Sequence, residues 1–571
     1  MIYSGGPLGA EVPHLDLASF TLYRAKQLGG KPALIDGPSG RALSYADLER
    51  SVRSLAAGLS AYGFARGDTF AICMPNVPEY AVAFHGVVAA GGRCTTANPL
   101  FTERELGRQL ADSRARLLLT MPPFLDVARR AAARVGDGQV FVLGEAAGAP
   151  SFSELLGDPA AAPSVAIDPL MDIAAIPYSA GTTGLSKGVM LSHRNLVANL
   201  LQSEARFALS AGDVLIAVLP FFHIAGLSVV MNLGLYAGAT LVTMPRFELG
   251  QFLDLLERYE VTRAYVVPPI ALALARHPAV TGRDLKALRH VLCGAATLGA
   301  DLAEELAQKI GCEVSQGYGM TETCAATHGV PPFSRASTPG SVGPPLAGTE
   351  CRLVDPQTGA DARPGERGEL WMRGPQVMQG YLNNAEATAA MIDGDGWLHS
   401  GDVAIVDEDG WFTIVDRVKE LIKYKGFQVA PAELEEILIT HPQVADCAVI
   451  GVPDDEVGEL PKAFVVPASD DLDGDAVIAF VAGQVAPHKR IRSIEFVQEI
   501  PKSPSGKILR RLLRNRQRVG LGPGLARGRD RAVPAALRDR CASTGWRASL
   551  DRVKAVIAAR SGGRPRAATP C

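Results

Sequence analysis

The chain has 571 residues, 47% hydrophobic and 20% charged, which is more than one ordinary core holds and too apolar for a disordered chain. Its formal net charge of −3 and isoelectric point near 6.4 exclude a nucleic-acid-binding surface over the whole chain. Nine cysteines lie scattered from Cys73 to Cys571 with no C-x-x-C pair, which points to reduced thiols in a cytoplasmic protein, not to disulfides or zinc.

No basic-then-apolar leader is visible in Met1 to Phe20, which contains Glu11, His14 and Asp16. From there to about Asp416, strand-like runs alternate with helical ones. Phe70 to Met74 precedes Tyr80–Ala90, Thr262 to Val267 precedes Ile270–Arg276, and Val291 to Cys293 precedes Ala300 to Ile310. That alternation predicts α/β layers with substantial sheet. Ile173 to Tyr178 reads as a strand entering Ser179-Ala180-Gly181-Thr182-Thr183-Gly184-Leu185-Ser186-Lys187-Gly188, and Val189 to Leu191 reads as a strand leaving it. Glycines let amide groups turn toward one point, hydroxyls add donors, and Lys187 adds a charge suited to phosphate. The loop is not a Walker A motif, because Gly188 stands where Ser or Thr is required. Taken alone it also reads as an ordinary Gly/Thr hairpin.

No Asp, Glu, Lys or Arg intervenes between Asp213 and Arg246, a length beyond the ~20 residues that span a bilayer. Pro220, His223, Asn232 and several glycines interrupt it, so the expectation is a strand and a buried helix of an α/β core, with no membrane span. After Arg417 the pattern becomes a smaller α+β unit: a helix at Pro431 to Thr440, strands at Cys447–Val452 and Ala463–Val466, and a helix around Ala476 to Val485. The resulting division is 1–416, a hinge at 417–421, a small domain at 422–513, and an Arg/Gly/Pro-rich tail at 514–571, read as a solvated extension that could also grip an anionic partner.

Four further clusters carry chemistry. Gln316-Gly317-Tyr318-Gly319-Met320-Thr321-Glu322 sets an aromatic face, a hydroxyl and a carboxylate on one loop, the parts needed for a base, a phosphate and Mg²⁺. Trp397 to Asp402 offers an aspartate suited to ribose hydroxyls, Asp416 to Phe427 lies at the domain boundary, and Pro501 to Lys507 presents a lysine on a rigid-then-flexible loop. Singly, Asp402 also reads as a turn cap, Arg417 as a partner of Glu420 or Asp416, and Lys507 as a surface lysine.

In this order, over about residues 20 to 513, these motifs closely resemble the acyl-adenylate-forming superfamily, nearest its 4-coumarate–CoA ligase-like branch. "PYSAGTTGLSKGVMLSH", "QGYGMTE", "VDRVKELIKYKGFQVAPAELE" and "PKSPSGKILRR" carry the likeness, with Met74-Pro75-Asn76 and Thr95 to Pro99 in support. The resemblance implies a large multi-subdomain N-terminal α/β domain with a small mobile α+β C-terminal domain. It implies ATP, Mg²⁺ and coenzyme A as cofactor or co-substrates. Ser179 to Lys187 would embrace the β- and γ-phosphates. Gly294, Ala295 and Ala296 with Tyr318 would sandwich the adenine, Thr321 would meet the α-phosphate, and Glu322 would hold Mg²⁺. Asp402 and Arg417 would bind the ribose, and Lys419 would be the hinge. Lys423 and Gln428 would reach the nucleotide phosphate, Lys507 would be the adenylating lysine, and Lys425 and Gly426 would line the CoA path.

Departures are Ala180 for a common Ser or Thr, Ser186 for Pro and Thr297 for Pro, none of which removes a charged group. The acyl pocket would include His223, Ile224, Ala225, Cys324 and Ala325. The uncharged Asp213–Arg246 interval supplies no acidic partner for an α-ammonium group, and Ala225 stands where hydroxycinnamate-specific members often carry Tyr. The expected substrate is an apolar aryl acid or a medium-chain acid, with 4-coumarate open. Transfer to a carrier-protein phosphopantetheine, arrest at acyl-AMP, and a catalytically silent nucleotide-binding regulator are the alternatives.

Overall fold

The computed structural model describes residues 1–518 apart from 137, 180–185, 335–339, 425–426, 455, 470 and 504–505. Short apolar runs become fully buried parallel strands wherever helices cover both faces. Thr69–Ile72, Arg263–Val266 and His290–Cys293 are buried along their whole length. Helices follow where the sequence supplies a start signal: proline opens Pro78–Ala89, Pro268–Arg276 and Pro431–Ile439, its missing N–H being one the first turn never uses.

These elements build two eight-stranded sheets and an antiparallel five-stranded sheet in the large region. In the second eight-stranded sheet, Arg263–Val266, His290–Cys293 and Glu313–Tyr318 lie side by side in parallel. Their carboxyl ends therefore open on one edge, the side on which α/β sheets bind ligands. The five-stranded sheet brings Leu398–Val406 beside Phe412–Arg417, pairing Asp402 with Arg417.

The uncharged interval forms Val214–Ala217, a wide π-helical stretch Ala225–Asn232, the helix Leu233–Ala237 and Thr240–Thr243. Gly226 is obligatory there, because a Cβ would sit 2.1 Å from the Pro220 carbonyl oxygen. Among the described residues no helix is long and apolar enough to cross a membrane. The small domain has its own five-stranded sheet, with Val444–Asp454 against Gly458–Pro467, and its own core around Ile422, Leu434, Val449 and Val465. A last helix, Arg510–Arg518, carries the chain past Leu513. Leu513 is buried, and both Arg516 and Gln517 reach Glu495. The rest of the expected tail, residues 519–571, lies outside the described residues.

Candidate active site

The helix His193–Phe207 frames the cleft from behind. Its first turn is closed by Ser192 and Asn195, and the Asn195 amide also donates to the Pro375 and Val377 carbonyls. Further along, Asn199 donates to the Ala326 carbonyl at 2.7 Å. One helix thus fixes both the segment leading to Tyr381 and the loop after Glu322.

On the opposite wall, the Tyr318 hydroxyl donates to Asp402 Oδ2 at 2.6 Å, and Arg417 Nε approaches Asp402 Oδ1 at 3.2 Å. Burial, reinforced by Asp402, drives the Tyr318 phenol well above its ordinary range, so it stays a donor. Burial works against the Arg417 charge, but Asp402 and Glu420 outweigh it and hold the guanidinium up. Gly294 and Ala295 are part-buried beside this wall and Ala296 is exposed. Ala295 has φ +70°, a strained backbone for a residue with a Cβ and of the kind found at ligand sites. Gln316 is spent internally: its carboxamide accepts from Leu298 N–H and donates to Leu298 O, both at 2.9 Å, bracing the 294–298 loop.

Glu322 is 5% exposed and its Oε1 accepts two hydroxyl bonds at 2.8 Å, from Ser179 and from Tyr381. Lys187 Nζ lies 4.4 Å from the centre of the Tyr381 ring. Thr321 is buried beside Glu322. Among the described residues no cluster of three His, Cys, Asp or Glu could hold a metal by itself. A single carboxylate suits Mg²⁺, which takes few protein ligands and completes its shell with phosphate oxygens and water. Gly319 makes the loop possible, since a Cβ would lie 1.4 Å from the Ala325 carbonyl oxygen. Ala180, Gly181, Thr182, Thr183 and Gly184 lie outside the described residues.

The small domain closes the cleft with the loop carrying Lys507. A Cβ on Gly506 would be 3.3 Å from Pro269 Cδ and 3.4 Å from Val267 Cβ, so the loop lies directly over the end of Arg263–Val266. Lys507 is desolvated there and within the field of Arg417, which together lower its pKa, while Asp402, Glu322 and Glu420 pull it back up. His223 faces the same charge: burial first, then Lys507, takes its imidazole to about 4, so it is neutral at physiological pH. Lys507, His223, Glu322, Asp402 and Arg417 are thus brought together. Lys423 is exposed on the hairpin Ile422–Tyr424, its N–H donating to Glu459 at 2.8 Å, and Lys419 is exposed. Lys425 and Gly426 lie outside the described residues, as does the side chain of Gln428, whose backbone pairs with Lys423.

Of the pocket residues, Ile224 is 2% exposed and packs in the main core, while His223 and Ala225 are part-exposed. Cys324 and Ala325 are buried with φ of +58° and +106°. Two residues escaped the sequence reading. Tyr381 arrives from an edge strand through its register with Val189, which no local motif reveals. Arg510, which stands in the PKSPSGKILRR segment with no role assigned to it, is 11% exposed and pairs with Glu420 and with Glu435, at 2.6 Å to the latter. Glu420 in the hinge and Glu435 on the first helix of the small domain were the available signal.

A buried carboxylate, a carboxylate–guanidinium pair and a tyrosine on the large domain, met by a lysine brought from the small one, are the parts of an enzyme that activates its substrate with a nucleotide. The chain belongs to the AMP-binding enzyme family, whose model matches residues 22–382, followed by a match to the AMP-binding enzyme C-terminal domain over 433–507. It is 42% identical over 524 residues to 4-coumarate–CoA ligase 3 of Oryza sativa subsp. japonica, covering 90% of this chain and 94% of that one. 4-Coumarate–CoA ligase 1 of Solanum tuberosum is 42% identical over 521 residues, covering 89% and 95%. The anthranilate–CoA ligase AuaEII in complex with anthranoyl-AMP superposes with TM-score 0.82 at 27% identity, over 89% of this chain and 98% of that one. ATP-bound MatB from Rhodopseudomonas palustris gives 0.79 at 32% identity, over 88% and 99%. The fold is that of adenylate-forming enzymes.

Proposed function

We propose that the protein is an AMP-forming acid–thiol ligase that joins an apolar aryl or medium-chain carboxylic acid to coenzyme A through an acyl-adenylate. The observation that carries this reading is the placement of Lys507 among Asp402, Arg417 and Glu322, with Tyr318 and a neutral His223 beside them. A carboxylate oxygen attacks the α-phosphorus of ATP, and pyrophosphate leaves. Two anions must meet for that, so fixed positive charge is what the site has to supply. In this reading Lys507 neutralises the incoming charge, Arg417 and Asp402 hold the ribose, and the Tyr318 ring carries the adenine. Mg²⁺, when bound at Glu322, screens the phosphate charge.

The small domain then turns about the hinge, removing Lys507 and admitting the CoA thiol, which attacks the acyl carbonyl and expels AMP. Relatives named as CoA ligases over nearly their full length weigh against a carrier-protein acceptor or a silent regulator. His223 feels Lys507 and so belongs at the carboxylate end, whereas the small side chain of Ala225, the first residue of the π-helical stretch, leaves room for the distal end of the acyl group. The seven cysteines among the described residues are free, which fits the cytoplasm, where ATP and CoA are available.

The test is ATP–pyrophosphate exchange and thioester formation over a panel of aryl and C4–C12 acids. Acid-dependent exchange followed by thioester release is expected. Exchange that no acid stimulates would overturn the reading, and acyl-AMP that CoA does not discharge would overturn the choice of acceptor.

A further inference from the structure

Tyr381 belongs to none of the motifs that mark the site, yet two charged groups rest on it. Its hydroxyl donates to Glu322 Oε1 at 2.8 Å, and its ring carries Lys187 Nζ at 4.4 Å from the centroid. The residue is itself held from several directions. It is 4% exposed, and it pairs in register with Val189, two residues beyond Lys187. Its N–H donates to Thr388 Oγ1 at 2.9 Å. Thr388 lies on Ala385–Met391, a helix capped by Asn384. Three residues upstream, Met378 N–H donates to the Glu322 carbonyl at 2.9 Å.

We propose that Tyr381 is a positioning residue that sets both the metal ligand and the phosphate-binding lysine of the nucleotide site. This rests on the reading of Glu322 as the Mg²⁺ ligand. Both hydroxyl bonds, from Ser179 and Tyr381, go to Oε1. Oε2 is therefore the oxygen turned to the cation, and the carboxyl plane cannot rotate without losing two bonds. The ring has a separate task. Lys187 and Glu322 both touch Tyr381 yet form no ion pair with each other, and such a pair would consume the charge that the metal needs. The electron-rich face of Tyr381 gives Lys187 another partner within reach. The cation is then held on the ring, free for phosphate, and leaves the carboxylate to the metal.

Removing the hydroxyl and removing the ring should separate these tasks. Tyr381→Phe keeps the ring and removes one of the two bonds to Glu322 Oε1. It should weaken Mn²⁺ binding, followed by electron paramagnetic resonance in the presence of a non-hydrolysable ATP analogue, by about 10-fold, the scale of lost outer-shell support. The same variant should need correspondingly more free Mg²⁺ for half-maximal adenylation and recover at saturating Mg²⁺. A merely structural defect would not be rescued by the ion. Tyr381→Leu should in addition weaken binding of the analogue in EDTA, where only Lys187 and its neighbours act. Ser179→Ala, which removes the other bond to Oε1, is the second variant should Tyr381→Phe unfold, and it should shift Mn²⁺ binding the same way. Wild-type Mn²⁺ affinity in folded Tyr381→Phe and Ser179→Ala, with affinity lost in Glu322→Gln, overturns the proposal alone. Unchanged affinity in Glu322→Gln overturns the metal-ligand reading and the proposal with it.

Discussion

Gly319→Ala should be the most damaging single-methyl change in the molecule, and its effect can be worked from distances. The new Cβ would stand 1.4 Å from the Ala325 carbonyl oxygen, 2.5 Å from its carbon and 2.9 Å from Ala326 Cα. Side-chain carbons essentially never sit closer than 3.0 Å, so that carbonyl must move by about 1.6 Å. Tyr318 cannot give way, being paired with His328 and accepting the Thr327 N–H. The displacement falls instead on the 320–326 loop, which Asn199 pins at Ala326 and which carries Thr321 and Glu322. A misplacement of about 1 Å costs on the order of 10²-fold in rate, and overpacking costs roughly 1–3 kcal/mol in stability. Both losses are expected, read by ATP–pyrophosphate exchange and by urea unfolding. Gly317→Ala is the internal comparison: its Cβ would lie 3.3 Å from the His328 carbonyl oxygen, needing a shift of a few tenths of an ångström. Its stability loss should stay below about 1.5 kcal/mol. A Gly319→Ala protein that exchanges pyrophosphate at the wild-type rate would refute the packing argument.

Asp416 is 7% exposed, and burial, opposed by Arg510, raises its carboxyl to about 6. The native state therefore holds a proton that the unfolded chain releases, and this group's contribution to stability is full below about pH 4 and is lost as pH rises through about 6, by roughly 3 kcal/mol. Asp416→Asn should remove that slope, and parallel unfolding curves for both proteins across pH 4–7 would count against it. Lys507→Ala should slow acyl-AMP formation by ~2.7–4 kcal/mol and spare conversion of supplied acyl-AMP to thioester; equal damage to both steps would contradict the two-orientation cycle. A chain ending at Arg518 should keep both half-reactions, whereas one ending at Leu509 leaves Glu420 and Glu435 without Arg510 and should lose about 3–5 kcal/mol of stability, read by thermal melting and exchange. Ala225→Phe should penalise bulky acids beyond the ~1–3 kcal/mol of a one-methylene mismatch, and an unchanged ranking of acids by kcat/KM would take Ala225 out of the pocket.

The contiguous parts of the site were legible because one short segment carries each of them. Tyr318, Asp402 and Arg417 on strands, and Glu322 and Lys507 in loops, each belong to a short segment recognisable by itself, and the fold then gathers them. What escaped depends on distance or on geometry without a sequence period. Tyr381 is far in sequence from Glu322 and reaches it only through the register of an edge strand. The π-helical stretch looks like any apolar helix, so nothing flags that Ile224 turns into the core while Ala225 does not. Gln316, which reads as a nucleotide contact, is spent on Leu298. The basic run after Lys507 conceals Arg510, since an arginine's burial depends on carboxylates that other elements bring. It also conceals the helix that runs on to Arg518.

Arg510 has a mechanical consequence for the hinge. On the large-domain side, Arg417 is bound to Asp402, and the Val418 N–H donates to the Gly401 carbonyl at 2.9 Å. On the small-domain side, Arg510 grips Glu420 together with Glu435 and the Val449 carbonyl, so Glu420 turns with the small domain. Between these two anchorages stands Lys419, exposed to solvent. In the proposed cycle a rotation of the small domain is taken up by the backbone dihedrals of the short turn around Lys419, where the Glu420 and Leu421 N–H groups donate to the Arg417 carbonyl at 2.9 and 3.1 Å. Those dihedrals have separate steric basins, not a continuum. The rotation proposed for the small domain should accordingly behave as a two-position switch, with each orientation a distinct backbone state of this turn and no stable angle between them.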